Sequence, residues 1–202
     1  MLLLTLAAAT LGPARLPPVD QCTADPSFVE FRSDLRRTIR RRDAKGLLAV
    51  VADDVHASLG GHVGKRDFIE LWSLNQRSES KVWAELDKAL LLGCSMRGGV
   101  PTIPSLGDQL DPGRDPFETL VALPGAVLRR APRDTSGAVT RLQWDVLTIS
   151  KPWDGGAWVA VRLDNGRRGF VLWARTRSPI DYRAWFQKRG GRWLIAGFLA
   201  GD

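Results

Sequence analysis

The sequence predicts an α+β protein: a helix-rich N-terminal region, then a small all-β barrel, then a C-terminal hairpin. Three observations predict it. Before residue 96, apolar residues recur at three- and four-residue steps, which is the helical period. After Thr119 they fall in short runs separated by Pro-Gly, Asp-Gly-Gly and Asp-Asn-Gly signals, the mark of hairpins. Composition agrees, since 20 Gly and 12 Pro in 202 residues imply many turns, and 44% hydrophobic residues suffice for a core.

Residues 1–22 read as a signal peptide and spacer. The apolar run Met1 to Leu11 is followed by Gly12-Pro13-Ala14, a small-residue exit, although no Lys or Arg precedes the run. It is too short to cross a bilayer, which takes roughly 20 apolar residues. Pro18-Val19-Asp20-Gln21 lacks the small apolar approach of a lipoprotein cleavage site, which argues against a lipid anchor. The expected localisation is therefore periplasmic or secreted. In that oxidising setting Cys22 and Cys94 are compatible with one disulfide and equally with two unrelated buried thiols. No CxxC or HExxH is present and His56 and His62 are the only histidines, so neither a metal nor a cofactor is expected.

Residues 23–96 form the helix-rich domain. Asp25-Pro26 is a helix start, with the carboxylate as N-cap and Pro at the first position, and Phe28, Phe31, Leu35 and Ile39 mark the buried face to about Arg42. Arg32, Arg36, Arg37, Arg40 and Arg41 make the opposite face basic, most simply a solvated face. Asp43 caps a second helix reaching Val51, and Val55, Ala57 and Leu59 alternate as in a strand that Gly60-Gly61 ends. Asp67 to Leu74 and Ser80 to Leu92 read as further helices. Residues 97–118 are rich in Pro and Gly without periodicity and read as a linker. Residues 119–178 form the barrel, whose clearest hairpin alternates Val159, Val161 and Leu163 inward with Trp158, Ala160 and Arg162 outward before Asp164-Asn165-Gly166. Residues 179–202 form the last hairpin.

Val127 to Pro132, then Val139 and Leu142, then Trp158 to Leu163 and Asp164 to Val171 follow one another in an order that resembles the bacterial SH3-like domain. That family shows a hydrophobic-Arg-x-x-Pro strand and turn, a Trp-x-x-Val strand and a Gly-x-x-Gly-Trp-Val return; this chain has Phe170 where the family has Trp. The resemblance covers about Thr119 to Ser178 and implies a small barrel with an aromatic-lined groove. The remaining helices, the strand near Val55 and the hairpin Phe186 to Ile195 are similar to the cone-like nuclear transport factor 2 fold. That likeness implies a barrel inserted into the first domain; a plain sequence of two domains is the alternative.

No constellation fixes a catalytic site, so a non-enzymatic reading leads. The acid–base candidates are Asp53, Asp54, His56, Asp67 and Tyr182, and each serves as well as a structural residue. The leading expectation is an exported binding module for a peptide, protein or cell-wall polymer, its surface drawn from Trp144, Trp153, Trp158, Phe170 and Trp173 with Arg129, Arg162 and Arg167. A small-molecule-binding or hydrolytic pocket in the cone is the second reading. Nucleic-acid binding, suggested by a net charge of +7, is third, because the basic residues are scattered and export would separate the protein from that partner.

Overall fold

The structure is a computed structural model and describes residues 14–76 and 79–201. The apolar run expected to be a signal peptide, Met1 to Leu11, lies outside the described residues. In chain order the elements are α1 (Pro26–Arg40), α2 (Ala44–Ala49), β1 (Val51–His56), α3 (Lys65–Leu71), α4 (Val82–Leu90), β2 (Ser95–Arg97), β3 (Val100–Ile103) and α5 (Leu106–Gln109). They continue with β4 (Thr119–Ala122), β5 (Ala126–Arg129), β6 (Ala138–Leu142), β7 (Val146–Ile149), β8 (Trp158–Arg162), β9 (Arg168–Leu172), β10 (Thr176–Arg177), β11 (Arg183–Arg189) and β12 (Arg192–Leu199). The protein is thus mixed α+β. It divides into two compact units, residues 17–116 with 179–201 and residues 14–16 with 117–178.

In the larger unit α1 begins as its sequence dictates: the Asp25 carboxylate accepts hydrogen bonds from the Ser27 and Phe28 amides, and Pro26 needs no donor at the first helical position. Phe28, Leu35 and Ile39 are buried along one stripe. That stripe packs on a five-stranded sheet in the order β1-β12-β11-β3-β2, with β1 parallel to β12 and the other pairs antiparallel. Phe28 meets the rings of Phe186 at 5.2 Å and Trp193 at 5.0 Å. The C-terminal hairpin therefore supplies the middle of the first unit's sheet, and Ile195 and Phe198 share one buried cluster with Phe28, Leu35 and Ile39.

Three expectations need correction. Residues 97–118 are not a bare linker, because β3 and α5 lie within them and the chain belongs to the larger unit as far as Pro116. Pro101 stands opposite Met96, between the pairs Arg97↔Val100 and Ser95↔Thr102, and the pairing of β3 with β11 is confined to Thr102 and Ile103, beyond it. The second helix stops at Ala49, and Val51 to His56, expected to join a helix end to a strand start, is wholly strand; its parallel partner β12 could not be read from local pattern. Residues 14–22 are not a loose spacer, for the Leu16 amide donates to the Trp144 carbonyl and the Cys94 amide to the Val19 carbonyl, both at 2.8 Å. Cys22 and Cys94 form a disulfide, with Cα atoms 5.8 Å apart and both residues fully buried.

The smaller unit is a seven-stranded sheet in the order β10-β4-β7-β8-β9-β5-β6. It has two edge strands and is not a closed barrel. Its antiparallel strands fold around Leu120, Leu128, Leu147, Val159, Val161 and Val171, all 1% exposed or less. Gly169 is the tight point: a Cβ there would lie 2.4 Å from the Arg129 carbonyl oxygen and 3.0 Å from Leu128 Cγ. Gly169→Ala is therefore expected to push β9 off β5 and to destabilise this unit by roughly 1–3 kcal/mol, the usual range for overpacking. Urea unfolding checks it against Gly137→Ala, whose Cβ would meet nothing nearer than 3.8 Å. Equal midpoints for the two variants would refute the close-approach argument.

Candidate functional site

The β8–β9 hairpin sorts its side chains by register. Val159 stands opposite Val171 and both are fully buried in the core. The alternate positions face the other way, because successive strand residues point to opposite sides of a sheet. On that outer face Trp158 stands opposite Leu172, Ala160 opposite Phe170, and Arg162 opposite Arg168, while β5 brings Arg129 opposite Phe170. Trp158, Leu172, Phe170, Arg162 and Arg129 are half-buried and Arg168 is exposed. Cross-strand partners share a face at side-chain contact spacing, so one end of the face is apolar and the other cationic, with Ala160 as a low point between Trp158 and Arg162. Arg129 is held in place by donating to the Ser136 carbonyl at 2.8 Å.

A second aromatic feature lies on the other side of the sheet. Trp153, in the β7–β8 loop, stacks on Trp173 with ring centroids 3.8 Å apart and planes 15° apart. Both rings pack against the buried core and remain half-buried, and Trp153 Nε1 donates to the Gly156 carbonyl at 2.9 Å. Of the four tryptophans, at least two of which the sequence places in one accessible patch, Trp153 and Trp173 stack as a pair, Trp158 belongs to the outer face, and Trp144 lies in the β6–β7 turn at φ 62°. Arg167 lies exposed in the hairpin turn, its amide donating to Asn165 Oδ1 at 3.2 Å. Arg168 and Leu172 were missed by sequence reasoning. The signal that would have found them is the turn Asp164-Asn165-Gly166, which once centred in the hairpin sets Arg168 across from Arg162.

The acid–base candidates of the larger unit do not converge. Asp54 receives Arg189 through two hydrogen bonds of 2.7 and 3.0 Å, and that contact holds its carboxyl below the usual carboxylate range, the wrong direction for a general base working near neutrality. Asp53 pairs with Lys65 Nζ at 2.8 Å, and Asp67 accepts from the Val63 amide at 3.1 Å. His56 lies 6.0 Å from the Trp185 ring, and Ser58 meets His62 Nδ1 at 2.9 Å within one exposed turn. Tyr182 is wedged 4.8 Å from Trp72 and 5.5 Å from Phe198, and burial pushes its phenol up. On the helix side of the sheet Phe28 meets the rings of Phe31, Phe186 and Trp193 at 5.0–5.9 Å, and Trp72 stacks on Phe198 at 4.9 Å. An open cleft of about 380 Å³ beside α5 has its arginines engaged: Arg97 donates to Asp108 at 3.4 Å and Arg183 to the Gly201 carbonyl at 2.7 Å.

In comparisons with known proteins, no family model matches this chain, and no curated protein and no solved structure matches it.

Proposed function

We propose that the chain is an exported, non-enzymatic binding protein whose seven-stranded unit acts as an SH3-like module, presenting its outer face to a peptide or cell-envelope component. The observation that carries this reading is the half-open set Trp158, Phe170, Leu172 and Arg129 on strands whose other side is a fully packed core. Rigid aromatic side chains on a preformed surface bind at low conformational cost, and aromatic and arginine residues are the ones that most often dominate interface energetics. Export is supported by the apolar N-terminal run and the buried Cys22–Cys94 disulfide. Among the described residues no helix is long and apolar enough to cross a membrane. The proposed location is periplasmic or secreted.

Trp158→Ala combined with Phe170→Ala tests the reading by co-sedimentation with isolated cell-envelope material and by binding to an immobilised peptide library. Binding is expected to weaken by tenfold or more, since hot-spot truncations typically cost about 2 kcal/mol or more. The melting midpoint is expected to change little, because neither ring belongs to the buried core. Retained binding in the double variant would place the ligand elsewhere. A steep loss of binding with salt, together with capture of nucleic acid by the parent protein, would favour the polyanion reading instead.

A further inference from the structure

The smaller unit concentrates the protein's charge. Residues 14–16 and 117–178 hold eleven Lys and Arg against five Asp and Glu, so most of the net +7 resides there. On its outer face Arg162 and Arg168 are direct cross-strand partners, a like-charge placement that costs stability in a sheet. Neither forms an ion pair with the described residues; the acidic neighbours Asp164 and Asp154 lie in the adjoining turns, outside the strands. Four residues away along the same face of β8 stands Trp158, with Leu172 beside it. At about 3.3 Å per strand residue the apolar and cationic ends are roughly 13 Å apart.

We infer that this face takes an extended acidic peptide, with a large apolar side chain seated on Trp158 and Leu172 and a carboxylate four residues along held by Arg162 and Arg168. An extended peptide has the same rise as the strands beneath it, so its own residues at i and i+4 fall on one side at the same separation. The small Ala160 leaves room for the intervening backbone. Guanidinium groups suit the partner, since their planar forks bind carboxylates through paired charge-assisted hydrogen bonds. The inference rests on the outer-face reading proposed above and adds the chemistry of the ligand.

The test uses fluorescence anisotropy of the full chain with a labelled, N-acetylated and C-amidated peptide Leu-Ala-Gly-Ala-Glu, its Glu→Gln counterpart, and an isomer with Glu moved one position inward, so that the Glu side chain carries the only carboxylate. The parent is expected to bind the Glu peptide roughly tenfold or more better than either control, the scale of one or two charge-assisted contacts. Arg162→Gln with Arg168→Gln is expected to erase that preference while melting no lower than the parent, because a repulsive pair is removed. Arg162→Glu with Arg168→Glu is expected to favour a peptide carrying Lys in place of Glu. Equal binding of the Glu and Gln peptides, no binding of the Glu peptide at millimolar concentration, or indifference to the position of Glu would each overturn the inference. So would competition by polyphosphate as strong as that of the Glu peptide, which would mark a general polyanion surface. If Trp158→Ala with Phe170→Ala abolishes envelope or library binding while the arginine variants leave it unchanged, the outer-face reading stands and the acidic-peptide inference falls.

Discussion

A chain ending at Ser178 is expected to lose the cooperative unfolding transition of its larger unit altogether, while the smaller unit keeps its own. The cut removes β11 and β12, which are the second and third strands of the sheet β1-β12-β11-β3-β2. It leaves β1 with no parallel partner and separates it from the β2–β3 pair. It also strips Phe28 of its contacts with Phe186 and Trp193, and leaves Leu35 and Ile39 without the Ile195 and Phe198 they share a core with. Each such large side chain contributes about 1.5–3 kcal/mol when buried, so losing these four removes an amount comparable to the whole stability of an ordinary domain, about 5–15 kcal/mol. Hydrogen exchange reads the outcome directly: amides of α1 and α4 should lose protection while those of β8 and β9 keep it. Protected amides in α1 of the shortened chain would show that the hairpin is an accessory and not the middle of the sheet.

Replacing both Cys22 and Cys94 with Ala is expected to cost on the order of 4 kcal/mol, the second largest effect. The bridge closes a loop with a sequence separation of 72 residues, and the chain-entropy relation assigns a constraint of that length about 4 kcal/mol. The hydrogen bonds that dock the segment, among them those from the Gln21 amide to the Cys94 carbonyl, from the Cys94 amide to the Val19 carbonyl and from the Val19 amide to the Ser105 hydroxyl, persist in the variant and then hold residues 17–22 without the bridge. Urea unfolding of the parent with and without reductant, set beside the double-Ala variant, measures this. Peptide mapping without reduction checks the pairing first. A variant as stable as the oxidised parent would mean that residual structure or strain offsets the constraint.

Much of the fold was legible where a local rule is sufficient. Asp25-Pro26 announces α1 because cap and first-turn proline act within four residues, and the β8–β9 hairpin shows itself through alternation around Asp164-Asn165-Gly166. What stayed hidden depends on distant partners. Asp53 and Asp54 look like a helix end, yet they belong to a strand because β12 lies parallel to it, and their charges are answered by Lys65 and Arg189 from elsewhere in the chain. Pro101 and the neighbouring glycines disguise β3, which exists only because β2 and β11 flank it. The same division holds for the site. Trp158 and Arg162 follow from strand period, whereas Arg129 reaches Phe170 through pairing of β5 with β9, and Trp153 reaches Trp173 across two loops. Composition suggested a tryptophan surface without saying which rings lie on which side of the sheet.

The interruption of one unit's sequence by the other also sets an order of events during synthesis. The smaller unit is almost continuous in the chain and all its strand pairs form between β4 and β10, so it can fold once β10 has emerged. The larger unit cannot, because the strand that joins β1 to the rest of its sheet is made last, and Val51 waits for Ile195. Until then the apolar faces of α1 and α4 have no sheet to cover them, and the nascent chain depends on holding factors, or on rapid arrival of the hairpin, to escape aggregation. Slowing the ribosome between codons 179 and 199 would lengthen that exposed interval, whereas slowing it within the smaller unit would give that unit time to finish first.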